Sequence, residues 1–177
     1  KTTGREMARQ NGKGDEIEVV ELWGLVQLSE RILHTAHEAA LVTTQAQERM
    51  LLTLEGHKDL RRLVAAKHVG IGQQKIALTN GATIWYRTRS GGGGRGVDEV
   101  DRVVVDEAQH ATAEHIAALS PTMQAAPNAQ MNAMGTAAIK GKGVWWWSQR
   151  KRALMAAYAS EDLVEQESDA KRLMGGK

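Results

Sequence analysis

Two carboxylates, Asp106 and Glu107, follow directly on three consecutive valines, Val103 to Val105. A short β-branched run without alternation reads as a strand buried on both faces. In open α/β sheets, ligands bind in the crevice beyond the carboxyl ends of such strands. An acid pair there can offer one carboxylate to a Mg²⁺ shell and the other to an attacking water, the Walker B arrangement of an ATPase. A surface strand that happens to end in acids is the competing reading, and the rest of the chain must decide.

The second constellation is Arg9-Gln10-Asn11-Gly12-Lys13-Gly14, which runs into a helical pattern. A glycine-bearing turn at a helix N-terminus cradles phosphate, because its backbone N–H groups point outward and the dipole favours anions. Lys13 adds a point charge for the β/γ-phosphates. As a Walker A motif the stretch is imperfect. Met7 stands where the first glycine is expected, and Gly14 replaces the Ser or Thr whose hydroxyl meets Mg²⁺. An ordinary Gly-Lys-Gly loop is the alternative.

Other residues invite chemistry less strongly. The chain has no cysteine, so disulfides and thiolate zinc sites are excluded. Six histidines are present, none in the His-Glu-x-x-His zinc spacing. His34, His37, His110 and His115 therefore read as structural or solvent-facing, with nucleotide or DNA contact an option for His37. Trp145-Trp146-Trp147 precedes Arg150, Lys151 and Arg152, a combination that could stack bases and bind phosphates. Adjacent residues on a helix point in different directions, however, so at least one tryptophan belongs to the core. Lys140-Gly141-Lys142-Gly143 is a basic loop able to contact a DNA backbone.

The elements that must position these groups alternate. Residues 1–8 suggest a strand, and a helix follows the phosphate loop with Val19, Val20, Trp23 and Val26 at helical spacing. Ile32–Ala36 is a second strand. Thr43–Leu54 reads as a helix with Met50, Leu51 and Leu54 inward, and Asp59–Ala66 as another with Leu60, Leu63 and Val64. Lys75–Thr79 and Ala82–Thr88 flank Asn80-Gly81, a hairpin signal. Arg89 to Gly96 is a glycine-rich loop, read as either a mobile functional loop or a plain linker. A helix over Thr112–Leu119, a strand over Ala129–Ala137 and helices over Val144–Ser160 and Glu161–Met174 complete the chain. Strands alternating with helices specify an α/β domain with a largely parallel sheet.

At 177 residues with a formal charge of +2, the chain suits one domain or a piece of a larger protein, and mild basicity is compatible with a nucleic-acid partner. No apolar run reaches the length of a membrane span, so no membrane association is expected. Five tryptophans without any phenylalanine is an unusual balance for which we have no physical account.

In this order and spacing, ARQNGKG, ILHTAHE, the glycine loop with GRG, VVVDEAQ and LSPTMQAAPNAQMNAMGTA resemble the ATPase domain of a tailed-bacteriophage terminase large subunit, of the actinobacteriophage type. The resemblance implies a P-loop NTPase of the RecA-like (ASCE) class, with a core over residues 1–140 and a helical extension over 141–177. It implies ATP and Mg²⁺, bound by Arg9, Gln10, Asn11, Gly12, Lys13 and Gly14, with Asp106 as the metal acid and Glu107 activating water. Thr136, within Gly135-Thr136-Ala137, matches the motif that couples hydrolysis to movement. Arg95, with Arg89 second, is the candidate for the arginine that stabilises γ-phosphate charge.

The implied function is ATP-driven translocation of double-stranded viral DNA into proheads. The implied partners are DNA, the portal protein, the small terminase subunit and further copies in a homo-oligomeric ring. The implied location is the host cytoplasm, docked on the prohead portal. A nuclease domain is not expected, because Glu161, Asp162, Glu165, Glu167 and Asp169 read as a solvated helix face. The chain is accordingly expected to be a fragment of the ATPase domain. Two alternatives remain open: a catalytically silent nucleotide-binding or assembly piece, and a helicase-like DNA translocase.

Overall fold

The structure, a computed structural model, describes residues 1–8, 11–39, 45–70, 72–89, 96–137 and 143–158. Seven strands form one sheet: β1 (Thr2–Glu6), β2 (Arg31–Ala36), β3 (Val64–His68), β4 (Lys75–Leu78), β5 (Thr83–Thr88), β6 (Arg102–Val105) and β7 (Gln130–Gly135). Their spatial order is β1-β7-β6-β2-β5-β4-β3. The first five in that order run parallel, and β4 and β3 join antiparallel at the far edge. Parallel pairing sends the C-terminal ends of β1, β7, β6 and β2 to one edge of the sheet, where the loops of interest emerge.

Helices cover both faces. On one side lie α1 (Lys13–Val26), α2 (Glu48–Gly56) and the single turn α3 (Lys58–Arg61); on the other lie α4 (Ala113–Leu119) and α5 (Val144–Tyr158). Alternate strand residues divide between two cores. Ile32, Ile84, Tyr86 and Val104 pack with Ile17, Leu25, Met50 and Leu54. Leu33, Val103, Val105 and Met131 pack with Ala108, Leu119 and Trp146. The valines of β6 are buried throughout because the strand has a covered face on each side. The Asn80-Gly81 turn joins β4 to β5 as expected, with Gly81 at φ 89° and Asn80 Oδ1 accepting from the Ala82 N–H at 3.0 Å.

Two readings of the sequence are corrected. The helix expected over Asp59–Ala66 ends after one turn, and Val64–His68 forms β3, paired with β4. A four-residue helix gains too few hydrogen bonds to persist alone, whereas the edge of β4 offers a ladder, interrupted by one irregularity between Val64 and Ala66. The inward face of α1 also differs from the one drawn through Val19 and Trp23, which are 66% and 59% exposed. Ile17, Glu21, Gly24 and Leu25 face the sheet instead. Gly24 lies close against the start of β2: a Cβ there would lie 2.3 Å from Glu30 Oε2 and 3.0 Å from the Ile32 side chain. The apolar pattern misleads because one inward position is a glutamate.

Of the three adjacent tryptophans, Trp146 is buried, Trp145 half-buried and Trp147 exposed. Trp146 lies against the backbone of β1 at Gly4 and donates from Nε1 to the Thr136 carbonyl at 3.1 Å. It thereby pins α5 across the ends of β1 and β7. The expected second C-terminal helix and the acids from Glu161 to Asp169 lie outside the described residues.

Candidate functional site

The loop between β1 and α1 turns on Gly12, whose φ of 73° is the left-handed conformation that glycine adopts without strain. Gly12 caps α1, and among the described residues no side chain is seen to bond the first-turn N–H groups. Those donors stay available to an anion, and the helix dipole reinforces them. Asn11 is exposed beside Gly12, and Gly14 occupies the first turn of α1. Arg9 and Gln10 lie outside the described residues.

Lys13 reaches from this turn to the end of β6, where Nζ lies 2.7 Å from Asp106 Oδ1. The same oxygen accepts the Glu107 N–H at 2.7 Å. Asp106 Oδ2 has no hydrogen-bond partner among the described residues, so one lone-pair face of the carboxylate remains for a cation. Loop and acid strand are not neighbours in the sheet, because β7 lies between β1 and β6. The lysine spans that gap. Lys13, Gly14, Glu21, His34, Asp106 and Glu107 are among the residues that line one cleft of about 160 Å³.

Glu107 sits at φ 51°, ψ 51°, a left-handed conformation uncommon for a residue with a Cβ. Such strain costs on the order of 1–3 kcal/mol and persists only where surrounding contacts enforce it. Arg89 supplies them. Its guanidinium, 3% exposed, donates to the carbonyls of Thr35 (3.0 Å), Asp106 (2.6 Å) and Glu107 (3.2 Å). Burial lowers its pKa to about 10 against the opposing pull of Asp106 and Glu107, which leaves it charged at neutral pH. The role first considered for Arg89, a free arginine for phosphate charge, is therefore corrected: it clamps the acid turn through backbone carbonyls. Arg95, the first candidate for that role, lies outside the described residues.

Behind the acids lies a buried pair. His34, on β2, presents Nδ1 to Glu21 Oε1 of α1 at 2.6 Å, and both side chains are 2% exposed. Burial alone disfavours the imidazolium, but the Glu21 carboxylate, with a smaller contribution from Asp106, raises the His34 pKa above 6.5. The Tyr86 ring packs against His34 at 5.3 Å, and burial beside Glu21 and Glu18 raises its hydroxyl pKa well above 10. His37 is exposed at the strand end and stacks on His110 at 5.0 Å.

Thr136 emerges next to the acid turn. Its N–H donates to Gln109 Oε1 at 3.1 Å, and Gly135 passes so close that a Cβ there would lie 2.6 Å from the same oxygen and 3.1 Å from the Ala108 nitrogen. The structure thus brings Gly12, Lys13, Asp106, Glu107 and Thr136 to one edge of the sheet. Sequence reasoning missed the clamp of Arg89, the Glu21–His34 pair and Gln109. Each acts through a partner on another element, and no spacing within the chain signals it. Among the described residues no cluster of three or more His, Cys, Asp or Glu side chains could hold a metal by itself. A single carboxylate suits a Mg²⁺ that arrives on phosphates and keeps most of its own waters.

No protein-family model matches the chain, and no curated protein matches it. Solved structures do match it. The HK97 bacteriophage large terminase superposes with a TM-score of 0.69 at 17% identity, over 82% of this chain and 31% of the terminase. The ATPase domain of the Thermus phage P74-26 large terminase gives 0.58 at 13% identity, over 92% of this chain and 84% of that domain. The large terminase of the thermophilic bacteriophage D6E gives 0.53 at 11% identity, over 76% and 32%. The chain therefore has the α/β P-loop fold of these terminase structures, and it spans about a third of the length of the whole HK97 protein.

Proposed function

We propose that the chain is the ATPase domain of a terminase large subunit and hydrolyses ATP to drive double-stranded viral DNA into a prohead. The observation that carries this reading is the Lys13–Asp106 contact with Glu107 beside it. A phosphate-loop lysine and a strand-end acid meet across an intervening strand at one cleft. The terminase fold supports the same assignment.

ATP would be the substrate, with its phosphates at the Gly12–Lys13 turn and the uncapped start of α1. The cleft is smaller than the roughly 300–1,000 Å³ of a typical small-molecule site, which suits the phosphate end rather than a whole nucleotide. Lys13 would exchange Asp106 for the β/γ-phosphates, and Asp106 would then face the Mg²⁺ carried by them. Glu107 would take a proton from water as the water oxygen attacks the γ-phosphorus. The bond to the β–γ bridging oxygen breaks, releasing ADP and inorganic phosphate. The left-handed turn held by Arg89 sets where the Glu107 carboxylate stands. Thr136, joined to the acid turn through Gln109, would pass changes there to β7 and, through Trp146, to α5.

Arg9, Gln10, Asn11 and Gly14 complete the proposed nucleotide loop, and Arg95 is proposed as the arginine acting on the γ-phosphate. The portal protein, the small terminase subunit, a homo-oligomeric ring and a location on the prohead in the host cytoplasm belong to the same proposal. Phosphate release with and without double-stranded DNA tests it. Turnover stimulated by DNA and lost in Glu107→Gln is the expected result; a folded chain that binds ATP without turnover under any condition would instead be a silent assembly module.

A further inference from the structure

Gly14 has no backbone reason to be glycine. It lies within the first turn of α1 and does not adopt a positive φ. Glycine in a helix is less favourable than alanine. What stands over the position is the movable end of another side chain. A Cβ built on Gly14 would lie 2.5 Å from Nη1 of Arg49.

Arg49 comes from α2 and lines the same cleft as Lys13, Asp106 and Glu107. Two carboxylates of α1 hold its guanidinium: Nη2 donates to Asp15 Oδ1 and, at 3.0 Å, to Glu18 Oε2. Nη1, the nitrogen over Gly14, has no hydrogen-bond partner among the described residues. A guanidinium is thus fixed by one nitrogen and presents the other where a serine or threonine side chain would project from the phosphate loop.

We propose that Arg49 is a phosphate-binding residue of this cleft: its Nη1, lying over Gly14, donates to the β/γ end of a bound nucleoside triphosphate. The proposal rests on the nucleotide reading above and adds a residue to it. A planar guanidinium suits phosphate oxygens through directed, charge-assisted hydrogen bonds. Ion pairs with Asp15 and Glu18 orient the guanidinium toward the cleft. The loop thereby replaces a metal-facing hydroxyl by a cation aimed at the phosphates. The competing role, a tie between α1 and α2 only, predicts an effect on stability and none on affinity.

The full chain is titrated with Mg²⁺ plus a non-hydrolysable ATP analogue, and separately with ADP, by calorimetry. Circular dichroism verifies that each variant is folded. Arg49→Ala should weaken binding of the triphosphate analogue about tenfold, equivalent to about 1.4 kcal/mol, and binding of ADP less. Arg49→Lys should recover only part of the loss. Arg49→Gln, which keeps a polar side chain without the charge, should lose affinity as Arg49→Ala does. Wild-type affinity in folded Arg49→Ala, with binding lost in Lys13→Ala, would overturn the role of Arg49 and leave the nucleotide site standing. Absence of binding by the folded wild-type chain would overturn both. Should Arg49→Ala fail to fold, Arg49→Lys and Arg49→Gln decide: wild-type affinity in both overturns the proposal.

Discussion

On the proposed reading, Glu107 and Lys13 carry separable duties. Glu107→Gln keeps the size and the backbone turn but cannot take a proton, so turnover should fall about 10²–10⁴-fold with nucleotide affinity retained. Steady-state phosphate release and equilibrium binding, measured on the same preparation, check that division. The Glu21–His34 pair makes a different prediction. A histidine whose pKa is raised on folding contributes stability that is fully present below its unfolded value near 6.5 and is lost as pH rises through the folded value. Thermal unfolding followed from pH 6 to 9 should show this decline, and Glu21→Gln should abolish it. A slope unchanged in Glu21→Gln would mean that other groups set the pH dependence. At this scale the sequence was partly legible. Asp106, Glu107 and Lys13 announce themselves through strand-end and helix-start patterns. Arg89, Arg49 and His34 do not, because their meaning depends on which carbonyl or carboxylate the fold places opposite them.

Elements bring these residues together by close approach. Gly135 allows β7 to pass the turn after Glu107, and Gly135→Ala would drive a Cβ toward Gln109 and the Ala108 backbone. A loss of about 1–3 kcal/mol in chemical denaturation is expected, the usual cost of overpacking. The tryptophan run offers a contrast within one helix. Trp146→Ala should cost about 3–5 kcal/mol, whereas Trp147→Ala, on the exposed face, should stay within about 0.5 kcal/mol. Strands β2, β4, β5, β6 and β7 were legible as apolar or alternating runs, and the hairpin from Asn80-Gly81. The edge strand β3 was not, because Val64–His68 owes its conformation to pairing with β4. The facing of α1 was misread for a related reason: Glu21 is inward only because His34 awaits it on β2.

For the whole molecule, the fold is that of terminase ATPase domains, while packaging requires more than this fold. Mild net basicity, +2, is compatible with a nucleic-acid partner. If the chain works as a translocating ATPase, duplex DNA should stimulate its turnover, and added salt should diminish that stimulation as phosphate contacts are screened. Separation of the duplex strands during turnover would favour the helicase-like alternative instead. No helix among the described residues is long and apolar enough to cross a membrane. The order phosphate loop, acid strand and Gly-Thr-Ala strand end was legible from the motifs. Their meeting at one edge follows from a strand order, β1-β7-β6-β2, that the chain order does not spell out.

If Lys13 and Asp106 together mark a nucleotide site, calorimetric titration of MgATP into the chain and into Lys13→Ala will separate the two. Saturable binding by the wild-type chain, absent from a folded Lys13→Ala, is the expected result. A folded wild-type chain that binds no MgATP, or equal affinity in Lys13→Ala, would mean that these residues do not form a nucleotide site.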